Sequence, residues 1–347
     1  MPDLADPITI GQLRVRNRAV MPPMVRNLAT DEGFVTPELI EHYAARSRGG
    51  VGLIIVEAAA IDWAHGIMKR NIGIHDDRVI PGLSALAEGI KKYGARAFIQ
   101  INHAGPKSHI ATRYVGPSAV PVMKGKVPEV LTVDEIEDIK GKFVNAARRA
   151  QEAGFDGVEI HGAHFYLLSA FLSSYTNHRN DDYGGPIEKR AKLAVDVIKA
   201  IRRELRSFPL IFRMNGIENV VNGITIDQAV KIARIIEHAG VDALHISCVV
   251  DAINNPGIPS IFDEKTMPAF LRGYPYDCCI PCASKIKSEV KIPVIGVGMV
   301  RDAKFARRVI KRNLCDLLGI GRALLADPEF VQKTLDKRDD EIVPWKD

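Results

Sequence analysis

The chain has 347 residues, of which 46% are hydrophobic and 26% charged, a composition typical of a globular protein. Its net charge of +5 is too small over this length to indicate nucleic-acid binding. The acidic start predicts no signal peptide, and the longest apolar stretch, Val51–Ala60, is too short to span a membrane. Five cysteines form no disulfide framework, so a cytoplasmic location is expected.

Short apolar runs alternate with helical patterns along the whole chain. A small hairpin comes first, with strands Ile8–Ile10 and Leu13–Val15. Apolar runs then predict eight strands: Arg18–Met21, Leu53–Val56, Ala97–Ile101, Gly157–Ile160, Leu210–Arg213, Ala243–Ile246, Pro293–Gly296 and Asp316–Gly319. Helical patterns follow them: a helix opened by Thr36-Pro37-Glu38, then Val79–Tyr93, Thr132–Ala153, Ile187–Arg206, Thr225–His238, Asp277–Val290, Asp302–Arg312 and one that begins at Arg322–Leu325.

Eight strand-then-helix units in succession predict a parallel sheet, and eight that close on themselves form a TIM barrel. We therefore predict an α/β fold, a TIM (β/α)8 barrel with an N-terminal β-hairpin, as a single domain over residues 1–347. Two long connections, Asn102–Leu131 and Ser247–Asp277, interrupt the rhythm. Loops of this length in a compact domain are usually functional, and we expect these two to set the size of the substrate.

Glycines follow the last two predicted strands of the barrel. Gly298 follows the seventh strand, and Gly321 and Arg322 follow the eighth. In this fold, backbone N–H groups at these two places can approach a phosphate, and an arginine adds a charged donor. The alternative is that the glycines only make tight turns. The sequence favours a phosphate site, which alone does not identify the ligand.

Two histidines and a tyrosine follow the fourth strand, in the order His161, His164, Tyr166. Three interpretations compete. The histidines could bind a metal, although no carboxylate or thiol partner is evident after neighbouring strands. They could be satisfied core histidines. They could also be paired donors to one oxygen that gains negative charge, with Tyr166 as a proton donor.

Cysteines cluster at Cys278, Cys279 and Cys282, and the last two have the CxxC spacing. A metal or iron–sulfur site normally needs a fourth ligand, and Cys248 and Cys315 lie far away in sequence. We therefore predict that this cluster holds no metal. The alternative to that prediction is a metal site completed by a ligand from elsewhere in the chain.

Several segments together resemble the old yellow enzyme family, the FMN-dependent NADH:flavin oxidoreductases. They occur in the family's order over nearly the whole chain: NRAVMPPM from Asn17, GLIIVEA from Gly52, IQINHAG from Ile99, EIHGAHFYLLSAFLSSYTNHRNDDYGGPIEKR from Glu159, and the pair IGVGM and LGIGRALLADP. The family is a TIM barrel with FMN at its C-terminal mouth, which agrees with the fold predicted above. The HxxH form of the histidine pair resembles the bacterial branches.

The resemblance implies a role for each candidate residue. Non-covalent FMN contacts are expected from Pro23 and Met24 at strand one, Ala58 beside the ring, Gln100 at the pyrimidine edge and Arg213 near N1 and O2. Its phosphate is expected at Gly298, Gly321 and Arg322. The resemblance also implies that His161 and His164 hold the substrate's carbonyl oxygen and that Tyr166 protonates Cα.

Four positions depart from the family pattern. Val25 and Asn27 replace an active-site cysteine and tyrosine of one bacterial subgroup. Phe165 replaces a usual glycine, and we expect it to narrow the pocket or to displace Tyr166. Trp345 stands where larger relatives begin their iron–sulfur cysteines. We therefore expect neither an iron–sulfur cluster nor a second flavin domain.

The resemblance implies an enzyme that reduces the C=C bond of α,β-unsaturated carbonyl compounds with NADH or NADPH, by a ping-pong mechanism. Three alternatives stay open: amine demethylation on the same flavin barrel, a flavin-binding barrel without catalysis, and a sugar-phosphate barrel. The expected partner is a small molecule, with neither nucleic acid nor membrane. The sequence leaves open the substrate, the choice between NADH and NADPH, and whether the chain forms a homo-oligomer.

Overall fold

In a computed structural model, which describes residues 1–249 and 279–346, eight parallel strands close into a barrel. The strands are β1 (Ile8–Ile10), β2 (Leu13–Val15), β3 (Ala19–Met21), β4 (Leu53–Ala60), β5 (Arg96–Asn102), β6 (Val115–Gly116), β7 (Glu129–Val130), β8 (Gly157–Gly162), β9 (Leu210–Glu218), β10 (Ala243–Val249), β11 (Val294–Val297) and β12 (Leu317–Gly319). The barrel order is β3-β4-β5-β8-β9-β10-β11-β12, and β12 pairs back onto β3. The predicted TIM barrel is confirmed.

Helices connect successive barrel strands: α1 (Pro37–Arg48), α2 (Ile80–Lys91), α3 (Val133–Glu152), α4 (Leu167–Leu172), α5 (Ile187–Arg190), α6 (Lys192–Leu205), α7 (Ile226–Ala239), α8 (Ile280–Lys287), α9 (Ala303–Lys311), α10 (Arg322–Ala326) and α11 (Phe330–Leu335). Threonines cap three of them, as predicted. Thr36 accepts a hydrogen bond from Leu39 N, and Thr132 and Thr225 form complete capping boxes.

The bottom of the barrel interior is apolar and is closed by the predicted hairpin. Strands β1 and β2 pair antiparallel, with Ile8 opposite Val15. Ile10 and Val15 belong to one buried cluster with side chains of the barrel strands: Val20, Leu53, Ile55, Phe98, Ile211, Ala243, Ile295 and Leu317. The hairpin therefore covers the end of the barrel at which the strands begin, and it leaves the opposite end for the site.

The structure differs from the sequence-based prediction mainly at the ends of elements; β4 and β9, for example, continue to Ala60 and Glu218. The predicted helix Ile187–Arg206 is interrupted at Ala191, so that it forms α5 and α6. The connection Asn102–Leu131 contains a short parallel pair, β6 with β7. Strand β8 extends to Gly162, so that His161 lies within the strand instead of after it. Strand pairing is not a local property, so local sequence patterns locate the ends of elements poorly.

Two sequence-based predictions fall partly outside the described residues. Of the loop Ser247–Asp277, the residues after Val249 lie outside the description, and so do Asp277 and Cys278 of the predicted helix Asp277–Val290. Within the residues that are described, no helix combines the length and the apolar character that a bilayer crossing requires.

Candidate active site

Five buried polar side chains lie together at the carboxyl ends of the barrel strands: Gln100, Glu159, His161, Arg213 and His245. Strand pairing sets them side by side. Gln100 is the register partner of Glu159, and Arg213 is the partner of both His161 and His245. Partners in adjacent parallel strands point to the same face, so these residues form one polar layer above the apolar bottom of the barrel.

Glu159 organises this layer, a role that the sequence analysis did not assign. Its carboxylate accepts a hydrogen bond from Gln100 Nε2 at 2.7 Å and contacts His245 Nδ1 at 2.6 Å. One N–H of the Gln100 amide is engaged in this way, which leaves its amide oxygen and its second N–H for a ligand. The sequence signal that could have identified Glu159 as a site residue is its charge at an inward position of an otherwise apolar strand.

Arg213 is the main cation of the polar layer. Its guanidinium is buried, and burial lowers the pKa of Arg213, an effect that the nearby Glu159 carboxylate opposes. The Nε atom of Arg213 is buried and has no hydrogen-bond partner among the described residues. A buried donor of this kind indicates a place for an acceptor from a bound molecule.

The predicted phosphate and flavin residues line one cavity of about 280 Å³. Six of them meet there: Pro23, Met24, Arg213, Gly298, Gly321 and Arg322. The walls also include Met299, Arg301 and Trp345, which the sequence analysis did not place in the site. Residues from the ends of β3, β9, β11 and β12 therefore converge, as a shared ligand would require.

Two glycines keep this cavity open. Gly298 has φ 124°, in the region that side chains rarely adopt. A Cβ at Gly321 would lie 3.3 Å from the Met24 sulfur, on the wall of the cavity. Substitution at either position would therefore strain the backbone or crowd the space.

The chain's residues fit the predicted FMN. The cavity supplies two glycines and the cations Arg301 and Arg322 for a phosphate. Arg213 supplies a buried donor, and the amide oxygen of Gln100 can accept a hydrogen bond from the pyrimidine edge. Gln100 and Ala58 do not line the 280 Å³ cavity, and Ala58 belongs to an apolar cluster with Ile67 and Ala104, against which Tyr166 packs. The individual contacts to FMN stay predictions.

The two predicted histidines face each other. His161 Nε2 lies 3.1 Å from His164 Nδ1, and His164 Nε2 lies 2.7 Å from the Ser247 hydroxyl. Asn215 Oδ1 accepts a hydrogen bond from the backbone N–H of His164 at 3.1 Å. Burial, aided by the charge of Arg213, holds the pKa of both histidines well below the usual range, so both imidazoles are neutral at pH 7.

Phe165 does not displace Tyr166, contrary to our expectation. His164 and Phe165 both have positive φ, 63° and 59°, and this double turn sends their side chains in different directions. Phe165 packs in a separate apolar cluster with Val122, Val220 and Val249. The Tyr166 ring stays with the histidines, and its centroid is 4.8 Å from that of the His161 ring.

Two other groups of potential metal ligands occur among the described residues. Asp62, His65 and His103 bring their ligand atoms within 4.8 Å of one another. The two imidazoles are stacked nearly parallel, at 22°, and Lys142 Nζ lies 2.7 Å from the Asp62 carboxylate. Parallel rings do not direct their lone pairs at one point, and the ammonium group of Lys142 pairs with the carboxylate, so this arrangement does not favour a metal ion.

The second group consists of cysteines. Cys248 Sγ lies 3.7 Å from Cys282 Sγ, although the two residues belong to different elements of the barrel. Burial raises the pKa of the Cys248 thiol well above its usual range. The prediction that the cysteine cluster holds no metal stays a prediction, and Cys278 lies outside the described residues.

Comparisons with known proteins relate the whole chain to one family. The family model described as NADH:flavin oxidoreductase / NADH oxidase matches residues 3–341. An NADH oxidase of Thermoanaerobacter brockii is 40% identical over 348 aligned residues, which cover 98% of this chain and 52% of that protein. An NADPH dehydrogenase of Geobacillus sp. (strain WCH70) is 36% identical over 328 aligned residues, which cover 94% of this chain and 91% of that protein.

A solved structure of an old yellow enzyme homologue from Zymomonas mobilis superposes with a TM-score of 0.80 at 26% identity, over 97% of this chain and 93% of that one. The chain spans about half the length of the T. brockii NADH oxidase. At the level of the family, the predictions of a flavin oxidoreductase, of FMN and of NAD(P)H are confirmed. The chain belongs to the NADH:flavin oxidoreductase / NADH oxidase family, the family of the old yellow enzymes.

Proposed function

We propose that this protein reduces the C=C bond of α,β-unsaturated carbonyl compounds with electrons from NADH or NADPH, in a ping-pong sequence. FMN, when bound, supplies the redox chemistry between the nicotinamide and the alkene. The observation that carries the proposal is a pair of neutral imidazoles 3.1 Å apart, with a buried phenol beside them. The relatives named NADH oxidase and NADPH dehydrogenase support a nicotinamide donor.

The two histidines are the proposed site for the substrate's carbonyl oxygen. A neutral imidazole has one N–H to donate. The Ser247 hydroxyl, when it donates to His164 Nε2, leaves the proton of that ring on Nδ1, which faces His161. With that tautomer, His164 Nδ1 donates to His161 Nε2 when no ligand is bound. A carbonyl oxygen beside the two nitrogens would replace this hydrogen bond and accept from both rings, with the His161 proton on Nε2, and these bonds would strengthen as the oxygen gains negative charge. Ser247 is thus a positioning residue.

Tyr166 is the proposed proton donor. Burial raises the pKa of Tyr166 to about 12, so its phenol stays protonated at neutral pH. The saturated product needs one proton at Cα, and the ring of Tyr166 lies next to the ring of His161, which holds the carbonyl end. A positioned acid of this kind typically contributes about 10²–10⁴-fold to a rate.

Arg213 and the Glu159 network are proposed to hold the pyrimidine end of the cofactor. A buried cation near N1 and O2 favours the negatively charged reduced form. Glu159 holds Gln100 and His245 by short hydrogen bonds, so the layer beneath the ring is fixed before the cofactor binds. Fixed dipoles and charges of this kind lose little energy to reorganisation during the reaction.

The test is an anaerobic assay of the FMN-loaded protein with NADPH and 2-cyclohexen-1-one. We expect cyclohexanone as product and parallel lines in double-reciprocal plots. His161→Ala should weaken ketone binding and slow reoxidation of the flavin, whereas His109→Ala, on the exposed surface, is the matched control. If NADPH reduces the flavin but no cyclic or acyclic enone or enal reoxidises it, the proposed reaction is wrong.

A further inference from the structure

Lys107 contacts two of the three proposed catalytic residues, the trio His161, His164 and Tyr166. The sequence analysis did not single out this lysine. It lies in a single helical turn, Gly105–Lys107, directly after β5. Its Nζ donates a hydrogen bond to the backbone oxygen of His164 at 3.2 Å. The same Nζ lies 5.6 Å from the centroid of the Tyr166 ring, in a cation–π contact. The ammonium group therefore lies directly beside His164 and Tyr166.

Among the described residues, none balances the charge of Lys107. No carboxylate forms an ion pair with it in residues 1–249 or 279–346, whereas the buried Arg213 has Glu159 nearby. Burial lowers the pKa of Lys107 to about 8, and the positive charge still dominates at pH 7. That charge also lowers the pKa of His161 and of His164, so its field reaches both imidazoles.

A purely structural role does not account for this charge. Holding the carbonyl oxygen of His164 requires a single N–H, and a neutral donor would make that hydrogen bond without the cost of burying a cation. The ammonium has three N–H groups, of which one is used in this way. An anion brought by a ligand would satisfy the others and would balance the charge.

We infer that Lys107 binds a carboxylate of the substrate, so that the site prefers unsaturated carbonyl compounds that carry a carboxylate close to the carbonyl group. This inference rests on the proposed function, because it places the carbonyl oxygen at His161 and His164. The position of Lys107 beside the Tyr166 ring puts its charge at the reacting end of a small substrate. The phosphates of NADPH are a second source of negative charge at this site. The experiment distinguishes them from a carboxylate of the substrate.

The experiment compares monomethyl fumarate, a monoanion, with dimethyl fumarate, which has the same alkene and no charge. The measured quantity is the ratio of kcat/KM for the anion to that for the diester, in the FMN-loaded protein at pH 7. We expect Lys107→Met and Lys107→Gln to lower this ratio at least about tenfold, the scale of one charged hydrogen bond. Lys107→Arg should retain most of it, because the charge is kept.

Lys126→Met is the matched control. Lys126 also donates to a backbone oxygen, that of Ser108 at 3.3 Å, and lies 4.6 Å from the Tyr114 ring, but its cation–π partner is not in the trio. This variant should leave the ratio as it is in the unmodified protein. An equal ratio in the unmodified protein and in both neutral Lys107 variants, with normal FMN content, overturns the inference.

Two further measurements keep the inference separate from the proposed function. If neither fumarate ester is reduced, the outcome of the enone assay decides the proposed function, and binding of monomethyl succinate to the oxidised holoprotein, followed by the flavin spectrum, decides the role of Lys107. Equal affinity of Lys107→Met and of the unmodified protein for monomethyl succinate then overturns the inference. Binding that is at least about tenfold weaker in Lys107→Met supports the inference. A Lys107→Met protein that loses only affinity for NADPH assigns the charge to the dinucleotide, and this also overturns the inference.

Discussion

The amino ends and the carboxyl ends of the barrel strands enclose two different interiors. At the amino end, side chains such as Phe98 and Ile211 form an apolar cluster that the hairpin closes. Two residues further along the same strands, Gln100 and Arg213 belong to the polar layer. Because inward positions alternate along a strand, one step of two residues changes the chemistry from core to site.

The comparison separates what stabilises the fold from what binds ligands. At the apolar end, the buried aliphatic and aromatic side chains of the cluster stabilise the fold by their removal from water. The polar end buries Arg213 and three histidines, each of which burial drives towards its neutral form. Such a layer lowers stability unless a ligand completes its hydrogen bonds, so it marks the functional end of the barrel.

The largest expected effect concerns Tyr166 at the polar end. Tyr166→Phe keeps the ring and removes the proton, so reoxidation of the flavin by a weakly activated enone should slow by about 10²–10⁴-fold. The reduction of the flavin by NADPH should be affected far less. Stopped-flow measurement of the two half-reactions tests this, with Tyr175→Phe as control, because Tyr175 packs with Phe165 instead of the histidines. Unchanged reoxidation would assign the proton to water or to another residue.

The next effect concerns the apolar end. Phe98 is fully buried in the cluster beneath the site, so Phe98→Ala should lower the free energy of unfolding by about 3–5 kcal/mol. Urea denaturation of the FMN-loaded protein measures it. Phe305→Ala, at a half-buried position on α9, should cost clearly less. Equal losses in the two variants would contradict the assignment of the apolar end as the main stabilising layer.

A third prediction uses pH to probe a buried carboxyl group on β4. Burial raises the pKa of Glu57 to about 7, although Arg26 N, Asn71 and Tyr43 hydrogen-bond to it. Between about pH 4.5 and 7 the unfolded chain is ionised at this residue while the folded chain is protonated, so stability falls as pH rises through this window. The loss approaches about 3 kcal/mol at pH 7 and is absent below the unfolded pKa.

Glu57→Gln should remove this contribution, because an amide does not ionise. Relative to the unmodified protein, the variant should gain stability progressively from pH 5 to pH 7, as measured by urea denaturation at each pH. Glu32→Gln, at an exposed position, is the control and should show no such trend. A parallel pH profile for Glu57→Gln and the unmodified protein would show that Glu57 is ionised in the folded state.

The smallest expected effect concerns the phosphate end of the cavity. Arg322→Ala removes a charged donor from its wall and should weaken FMN binding by about 1.5–3 kcal/mol, the scale of a hydrogen bond to a charged group. Flavin content after dialysis, followed by titration with FMN, measures this loss. Arg312→Ala, outside this cavity, should retain its flavin. Equal retention in both variants would place the phosphate elsewhere.

The sequence was most informative where the signal is local. Capping threonines such as Thr132 lie beside the helix that they begin, and glycines such as Gly298 directly follow their strands, so helix starts and the ends of the barrel could be read from neighbours. The candidate phosphate residues were found because the carboxyl ends of parallel strands always meet at one end of a barrel, whereas the flavin residues came from the family resemblance.

Contacts made by barrel closure were not predictable in this way. Glu159 meets His245 across 86 residues of sequence, and His164 meets Ser247 across 83. The side chain of Lys107 reaches His164 only because β5 and β8 are neighbours in the barrel. Phe165 illustrates a different limit, because its direction depends on two successive positive φ angles that a sequence of non-glycine residues does not suggest.

The pairing of β12 with β3 has a consequence for folding during synthesis on the ribosome. Gly319 lies beside Val20, so the first barrel strand receives its second neighbour only when almost the whole barrel has been translated. Until then β3 presents an open edge, and the hairpin lacks the last side chain of its cluster, that of Leu317. The nascent chain therefore spends most of its synthesis with an unpaired sheet edge, a state in which chaperones and self-association compete with productive closure.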